Sequence, residues 1–403
     1  MAVGLRAPEE LLAIDGVEIA TTAAQIRYQG RDDLVLIKFS EGSTTAAVFT
    51  KNKYCAAPVI IAQQHLKKNN PRALLINAGN ANAGTGELGL SNAFQSCHAI
   101  AEMLGIEADQ VLPFSTGVIG EQLPMDRVLK GIENVSKSLS SNNWLDAASA
   151  IMTTDTIAKG VSERILIDGK QITITGIAKG SGMICPNMAT LLSYVATDAD
   201  IASDRLQAML EQGANASFNR ITVDSDTSTN DALVLVATGN SSVQINDENI
   251  GDFSRALDKV LITLATSVIR DGEGATKFVK VDVINGVSDR DCESIAYSVA
   301  HSPLVKTALF ASDPNWGRIL AAIGKADAEH LDIDKINIQV NGQALIEQGQ
   351  PANSYSEEIG QTIFQQDEIN IAIDLALGDK NYHVWTSDLS HDCLLYTSPS
   401  PRD

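Results

Sequence analysis

The chain has 403 residues, 44% of them hydrophobic, enough for two domains or one large composite core. Fifty acidic residues against 30 basic ones give a formal charge of −20, which opposes nucleic-acid phosphate and anionic lipid alike. No apolar run approaches the ~18 to 20 residues that span a bilayer, and Glu9 and Glu10 stand where a targeting peptide would be basic, so a cytoplasmic protein is expected.

In chain order, "DLVLIKF" (33–39) and "RALLIN" (72–77) read as buried strands, being aliphatic runs bounded by turn residues. "SNAFQSCHAIAEMLG" (91–105) predicts a helix capped by Ser91, with Phe94, Cys97, Ala101 and Leu104 on one face. "ERILIDGKQITI" (163–174) predicts a hairpin turning at Asp168-Gly169, and "TLLSYVAT" (190–197) a further buried strand. "SRALDKVLITLATSVIR" (254–270) carries the stripe Leu257, Val260, Leu261, Leu264 and Val268 of an amphipathic helix. "KFVKVDVI" (277–284) and "INIAIDL" (369–375) alternate as half-buried strands do, Ser302-Pro303 opens a helix, and Asn341-Gly342 marks a second hairpin. Strands and helices come in clusters without strict βαβ alternation, so the expected class is α+β layers.

Two glycine-rich stretches fail as nucleotide sites. "GNANAGTG" (79–86) lacks the lysine that meets phosphate, and "KGSG" (179–182) is not GxGxxG. The histidines (65, 98, 301, 330, 383 and 391) show no HExxH spacing, and the five scattered cysteines show no CxxC, so neither metal nor a disulfide framework is expected. Hydroxyls are the richer resource. "STGVIG" (115–120) and "MTTDT" (152–156) set small polar side chains beside backbone that glycine brings close to a ligand, as an oxyanion site requires; each also reads as an ordinary threonine-rich turn.

Thr190 follows the turn-forming "KGSGMICPNMA" and opens an apolar run. A threonine hydroxyl needs a base, and one solution is the residue's own α-amine, freed by a cut just before it. With a reference pKa of about 7.7 to 8.0, that amine can take the Oγ proton and return it. Attack of Thr190 Oγ on the Ala189 carbonyl, an N-to-O acyl shift and hydrolysis of the ester would make the cut. The alternative is that Thr190 merely begins a strand.

"KGSGMICPNMATLLSYVATDA" resembles the self-cleavage and nucleophile motif of the ornithine acetyltransferase (glutamate N-acetyltransferase) family of arginine biosynthesis. So do "VFTKNKYCAAPV", "LLINAGNANAGTG", "STGVIG", "IMTTDT", "FNRITVDSDTSTND", "RDGEGATK" and "SPLVKTALFASDPNWGRILAA", in order, from about residue 10 to about residue 392. The resemblance implies a layered α/β sandwich, self-cleaved into an N-terminal chain (1–189) and a C-terminal chain (190–392) that stay associated as a heterotetramer of two of each. It implies Thr190 as nucleophile, Ala189 as the new C-terminus, Thr116 and Gly117 as oxyanion hole, and Lys179, Glu273 and Thr156, or else Thr154, as substrate contacts.

The implied reaction is ping-pong: Thr190 takes acetyl from N-acetylornithine, ornithine leaves and glutamate accepts the group, with no cofactor or metal. Acetyl-CoA serves some family members as a further acetyl donor. The rival with the same nucleophile is an amidohydrolase or aminopeptidase, in which water is the acceptor. The match breaks in the tail, 393–403: where the family ends in an Asn and a Ser or Thr that bind substrate, this chain reads "CLLYTSPSPRD".

Overall fold

The computed structural model describes residues 2–185 and 191–390. Thr190 and Ala189, and the tail from 391 onward, lie outside the described residues. The first half of the chain supplies β1 (Val17–Thr22), β2 (Leu34–Phe39), β3 (Thr44–Phe49), α1 (Ala57–Lys68), β4 (Ala73–Asn77), α2 (Gly86–Leu104) and β5 (Val111–Ser115). Then come α3 (Met125–Val135), α4 (Trp144–Ala150), β6 (Lys159–Ile167) and β7 (Lys170–Lys179). Beyond residue 190 follow β8 (Leu192–Thr197), α5 (Ser203–Ala216), β9 (Ile221–Thr222), β10 (Ala232–Ala237) and α6 (Ile250–Arg270). The last stretch holds β11 (Phe278–Gly286), α7 (Asp289–Ala300), α8 (Pro303–Phe310), α9 (Trp316–Gly324), β12 (Asn337–Val340) and β13 (Gln343–Glu347). It ends with β14 (Gln350–Pro351), α10 (Glu357–Phe364), β15 (Glu368–Asp374) and β16 (Lys380–Ser387).

Two sheets, ordered β1-β2-β4-β5 and β3-β10-β8-β7-β6, pack face to face. The two-residue period of a strand makes this possible. Val35 and Ile37 of β2 point into the inter-sheet core beside Phe114, Ile177, Tyr194 and Val234, whereas Leu34 and Leu36 point outward to Ile61, Ile100 and Ile132 of α1, α2 and α3. On the far side, Ile174, Val195 and Leu235 meet Leu210 of α5 and Val260 and Leu264 of α6. Both sheets are therefore covered on both faces, which explains their nearly unbroken apolar runs. The layers read helix, sheet, sheet, helix.

A third sheet, β14-β13-β12-β15-β11-β16-β9, packs α7, α8, α9 and α10 on one face, while Phe278 and Trp385 on the other join the core around α6. Val279, Val281 and Val283 of β11 pack with Ile295, Val299 and Ile323, while Lys280 and Asp282 point away and pair at 2.5 Å. The expected alternation is thus a one-sided burial. Strand β9 borders β16, so residues just before the 224–231 segment belong to this sheet's edge.

Both hairpins turn where expected, with positive φ at Asp168, Gly169, Asn341 and Gly342. Ser302 caps α8 by accepting from the Val305 amide. One helix boundary differs: α2 starts at Gly86, with Thr85 at the cap position, so Ser91 is interior to it. Its buried face is Ala93, Cys97, Ile100 and Ala101, and Phe94 is 45% exposed. The earlier start was hidden by Gly84 just before the cap and by Gly86 and Gly89 in the first turn.

Candidate active site

The strands converge at one end of the sandwich. Strand β7 ends at Lys179, β8 begins at Leu192 directly opposite it, and β10, parallel to β8, begins at Ala232. Strand β5 of the facing sheet ends at Ser115, just before Thr116 and Gly117.

Thr116 and Gly117 are held by asparagines. The Thr116 amide donates to Asn77 O, and Asn77 Oδ1 accepts from the Gly79 and Asn80 amides. Asn230, just before β10, donates from Nδ2 to Ala81 O at 2.6 Å and Ser115 O at 2.9 Å, tying the two sheets together here. The "GNANAG" stretch is therefore a self-braced loop whose Asn side chains fold its own backbone. Gly117 has φ +129°, and a Cβ on it would lie 2.7 Å from the Gly79 carbonyl carbon and 2.8 Å from the Asn80 nitrogen. Gly117→Ala is expected to cost about 1 to 3 kcal/mol, from the strained φ and the clash, and a urea midpoint equal to wild type would contradict this.

Lys179 is almost buried, with its side chain 10% exposed. Its Nζ donates to Thr116 Oγ1 at 3.2 Å and Thr153 Oγ1 at 2.7 Å, and lies 3.9 Å from Asp155 Oδ2. Behind it is a buried network that sequence reasoning missed. Lys159 Nζ bridges Asp155 Oδ1 at 2.7 Å and Asp271 Oδ2 at 2.6 Å, with all three side chains at most 1% exposed. Burial alone would raise the Asp155 carboxyl, but Lys179, Lys159 and the Thr153 amide together hold it well below the usual carboxylate range. Asp155 Oδ1 also accepts from the Gly180 amide at 2.7 Å.

The threonines of "MTTDT" therefore separate. Thr153 meets Lys179, Thr156 donates its hydroxyl and amide to Asp271, and Thr154 is exposed. Glu273 is exposed, its amide donates to Ser181 O, and its carboxylate lies over Gly182, where a Cβ would meet Oε2 at 2.7 Å. Gly182 of "KGSG" thus makes room for an acid.

Two aspartates of "DSDTSTND" anchor the described chain on both sides of residues 186–190. Asp224 accepts from the Met183 and Ile184 amides, the latter at 2.8 Å. Asp231 Oδ1 accepts from the Leu191 amide at 3.1 Å. Asp231 is buried, which pushes its carboxyl well above the ordinary range against the opposing effects of Ser228, the Leu191 amide and Lys179. The visible signal for these acids was their presence inside the quoted motifs. Cys185, half-buried beside His301, has its thiol pushed up to about 11 by burial and is held as the thiol. A separate surface cavity of about 550 Å³, lined in part by Asp15, Lys38 and Arg72, shares no residue with this site.

Fold and site together define a layered α/β protein whose sandwich gathers hydroxyls, backbone amides and one nearly buried lysine at one end. The ArgJ family model matches residues 18–396, and the chain belongs to the ArgJ family. It is similar to the arginine biosynthesis bifunctional protein ArgJ of Pseudomonas fluorescens (strain Pf0-1), 49% identical over 396 residues, 97% of this chain and 98% of that one. The protein of the same name from Psychrobacter arcticus is 50% identical over 397 residues, again 97% and 98% of the two chains. Among solved structures, that of ArgJ from Bacillus halodurans is 35% identical, covering 52% of this chain and 100% of its own at a TM-score of 0.49. Ornithine acetyltransferase from Mycobacterium tuberculosis, solved in complex with ornithine, is 32% identical, covering 46% of this chain and 98% of its own at a TM-score of 0.39.

Proposed function

We propose that this protein moves an acetyl group from N-acetylornithine to glutamate through an acetyl ester on Thr190, after cutting itself between Ala189 and Thr190. As a member of its family it is an acyltransferase of arginine biosynthesis. The observation that carries the reading is convergence: the strand register sets Lys179 opposite Leu192, two residues after Thr190, and Lys179 reaches Thr116 beside Gly117.

The steps follow from those groups. The α-amine of Thr190 takes the Oγ proton, and Oγ attacks the acetyl carbonyl of N-acetylornithine. The tetrahedral oxyanion is stabilised at Thr116 and Gly117, the Thr190 ammonium gives its proton to the departing nitrogen as the C–N bond breaks and ornithine leaves, and the acetyl remains as an ester on Oγ. The glutamate amine then attacks the ester, the same α-amine takes its proton, and the ester C–O bond breaks as that proton returns to Thr190 Oγ and N-acetylglutamate leaves. Lys179 pairs with a substrate carboxylate and Glu273 with an ammonium; the Thr156 hydroxyl, already donating to Asp271, can only accept from a ligand. Acetyl-CoA is a second donor in this reading, and the cut chains assemble as two N-terminal and two C-terminal pieces in the cytoplasm. Among the described residues no helix is long and apolar enough to cross a membrane.

The test is incubation with N-acetylornithine, with and without glutamate. Ornithine release that requires glutamate and yields N-acetylglutamate is expected. Steady release of ornithine and acetate at the same rate without glutamate would make the protein a hydrolase instead.

A further inference from the structure

The site holds a buried carboxylate that the reaction scheme does not use. Asp155 is 8% exposed; its Oδ2 stands 3.9 Å from Lys179 Nζ, and its Oδ1 accepts at 2.7 Å from the amide of Gly180, the next residue. It grips the backbone beside that lysine and steadies its charge. Lys159 fixes Asp155 in turn, its Nζ shared with Asp271. Asp155 Oδ2 also accepts from the Thr153 amide, so the threonine whose hydroxyl meets Lys179 is held by the same carboxylate.

We propose that Asp155 is a positioning residue, which keeps the Lys179 side chain as an ammonium aimed at Thr116 rather than as a neutral amine. This rests on the reading of Lys179 as a substrate contact. A buried lysine beside two hydroxyls has nothing in those hydroxyls to hold its proton against desolvation, and a fixed carboxylate supplies that force. The charged groups around Lys179 are Asp155 from the loop after α4, Lys159 at the start of β6, Asp231 before β10 and Glu273 after α6. Burial draws the amine below the usual lysine range, Lys159 adds to this, and Asp155 opposes it more strongly than Asp231 or Glu273. An ammonium can pair with a carboxylate of the substrate; a neutral amine gives only an ordinary hydrogen bond.

The experiment measures the lysine directly. Full-length protein is labelled with a trace of acetic anhydride across a pH series, and the Lys179 peptide is quantified by mass spectrometry. Only the neutral amine reacts, so the labelling midpoint follows the loss of the proton. In Asp155→Asn the midpoint at Lys179 is expected to fall by about 1 to 3 pH units, while that of the exposed Lys170 stays put. Should Asp155→Asn not fold, Asp155→Asn with Lys159→Gln neutralises the buried pair together, and a smaller fall of the same sign is expected because Lys159 opposes Asp155 at this site. The alkaline limb of the transfer kcat/KM profile should shift with the label. An unchanged Lys179 midpoint in the variant that folds would overturn the proposal. If wild type transfers no acetyl but the midpoint still falls, the functional reading fails and the Asp155–Lys179 coupling stands.

Discussion

Thr190→Ala is expected to leave the protein as a single chain near 42.9 kDa and to abolish acetyl transfer. Both steps need the same oxygen. In the proposed cut, Oγ attacks the Ala189 carbonyl, the peptide C–N bond breaks as the ester C–O bond forms, and water then releases the first chain. In the proposed transfer, the same Oγ carries the acetyl group. Alanine has no lone pair to offer in either step, and water cannot replace a nucleophile that must sit in the chain being cut. Thr190→Ser keeps the oxygen and is expected to cut slowly. Denaturing gels and N-terminal sequencing read the outcome: two bands, one beginning Thr-Leu-Leu, for wild type, and one band for the alanine variant. Two bands from Thr190→Ala, cut at the same bond, would show that another group does the chemistry.

Lys159→Met is expected to be the most destabilising of the single changes considered, at about 3 to 5 kcal/mol. Met matches the length of the lysine stem, so the loss is electrostatic. Asp155 and Asp271 would both stay buried, with Asp271 keeping only the Thr156 and Ile157 groups as partners. Lys159 precedes residue 190 and Asp271 follows it, so this ion pair also joins the two proposed chains; the cut variant should separate more readily on size exclusion in mild urea.

The pH dependence has a definite sign. Asp155 is depressed in the folded protein, so its ionisation contributes stability above the ordinary value of 3.8 that is lost as pH falls toward the depressed one. With Lys159 gone the depression is weaker. The gap between wild type and variant should therefore be widest near neutral pH and narrow in acid. A gap that does not change with pH would mean that the loss comes from packing.

The sequence by itself determined the elements whose signals are local. Asp168-Gly169 and Asn341-Gly342 specify their turns because few other residues accept positive φ there, and the α6 stripe is readable because helical period and burial coincide over 21 residues. It also determined the family, through motifs whose order spans the chain, and with them the candidate residues Thr116, Gly117, Lys179, Thr190 and Glu273. What only the tertiary structure decided is how Thr116, Gly117, Lys179 and Glu273 are held. Thr153, rather than Thr154 or Thr156, meets Lys179 because Asp155 and Asp271 turn the "MTTDT" loop from two sides, and one of those acids lies 115 residues further on than Thr156. The buried Lys159 was not legible either: a lysine at the head of a polar strand looks solvent-facing until Asp155, four residues before it, and the distant Asp271 close around it. Spacing records which side chains share one strand or helix, but a buried charge is fixed by partners brought from other elements, and those partners exist only once the layers have packed.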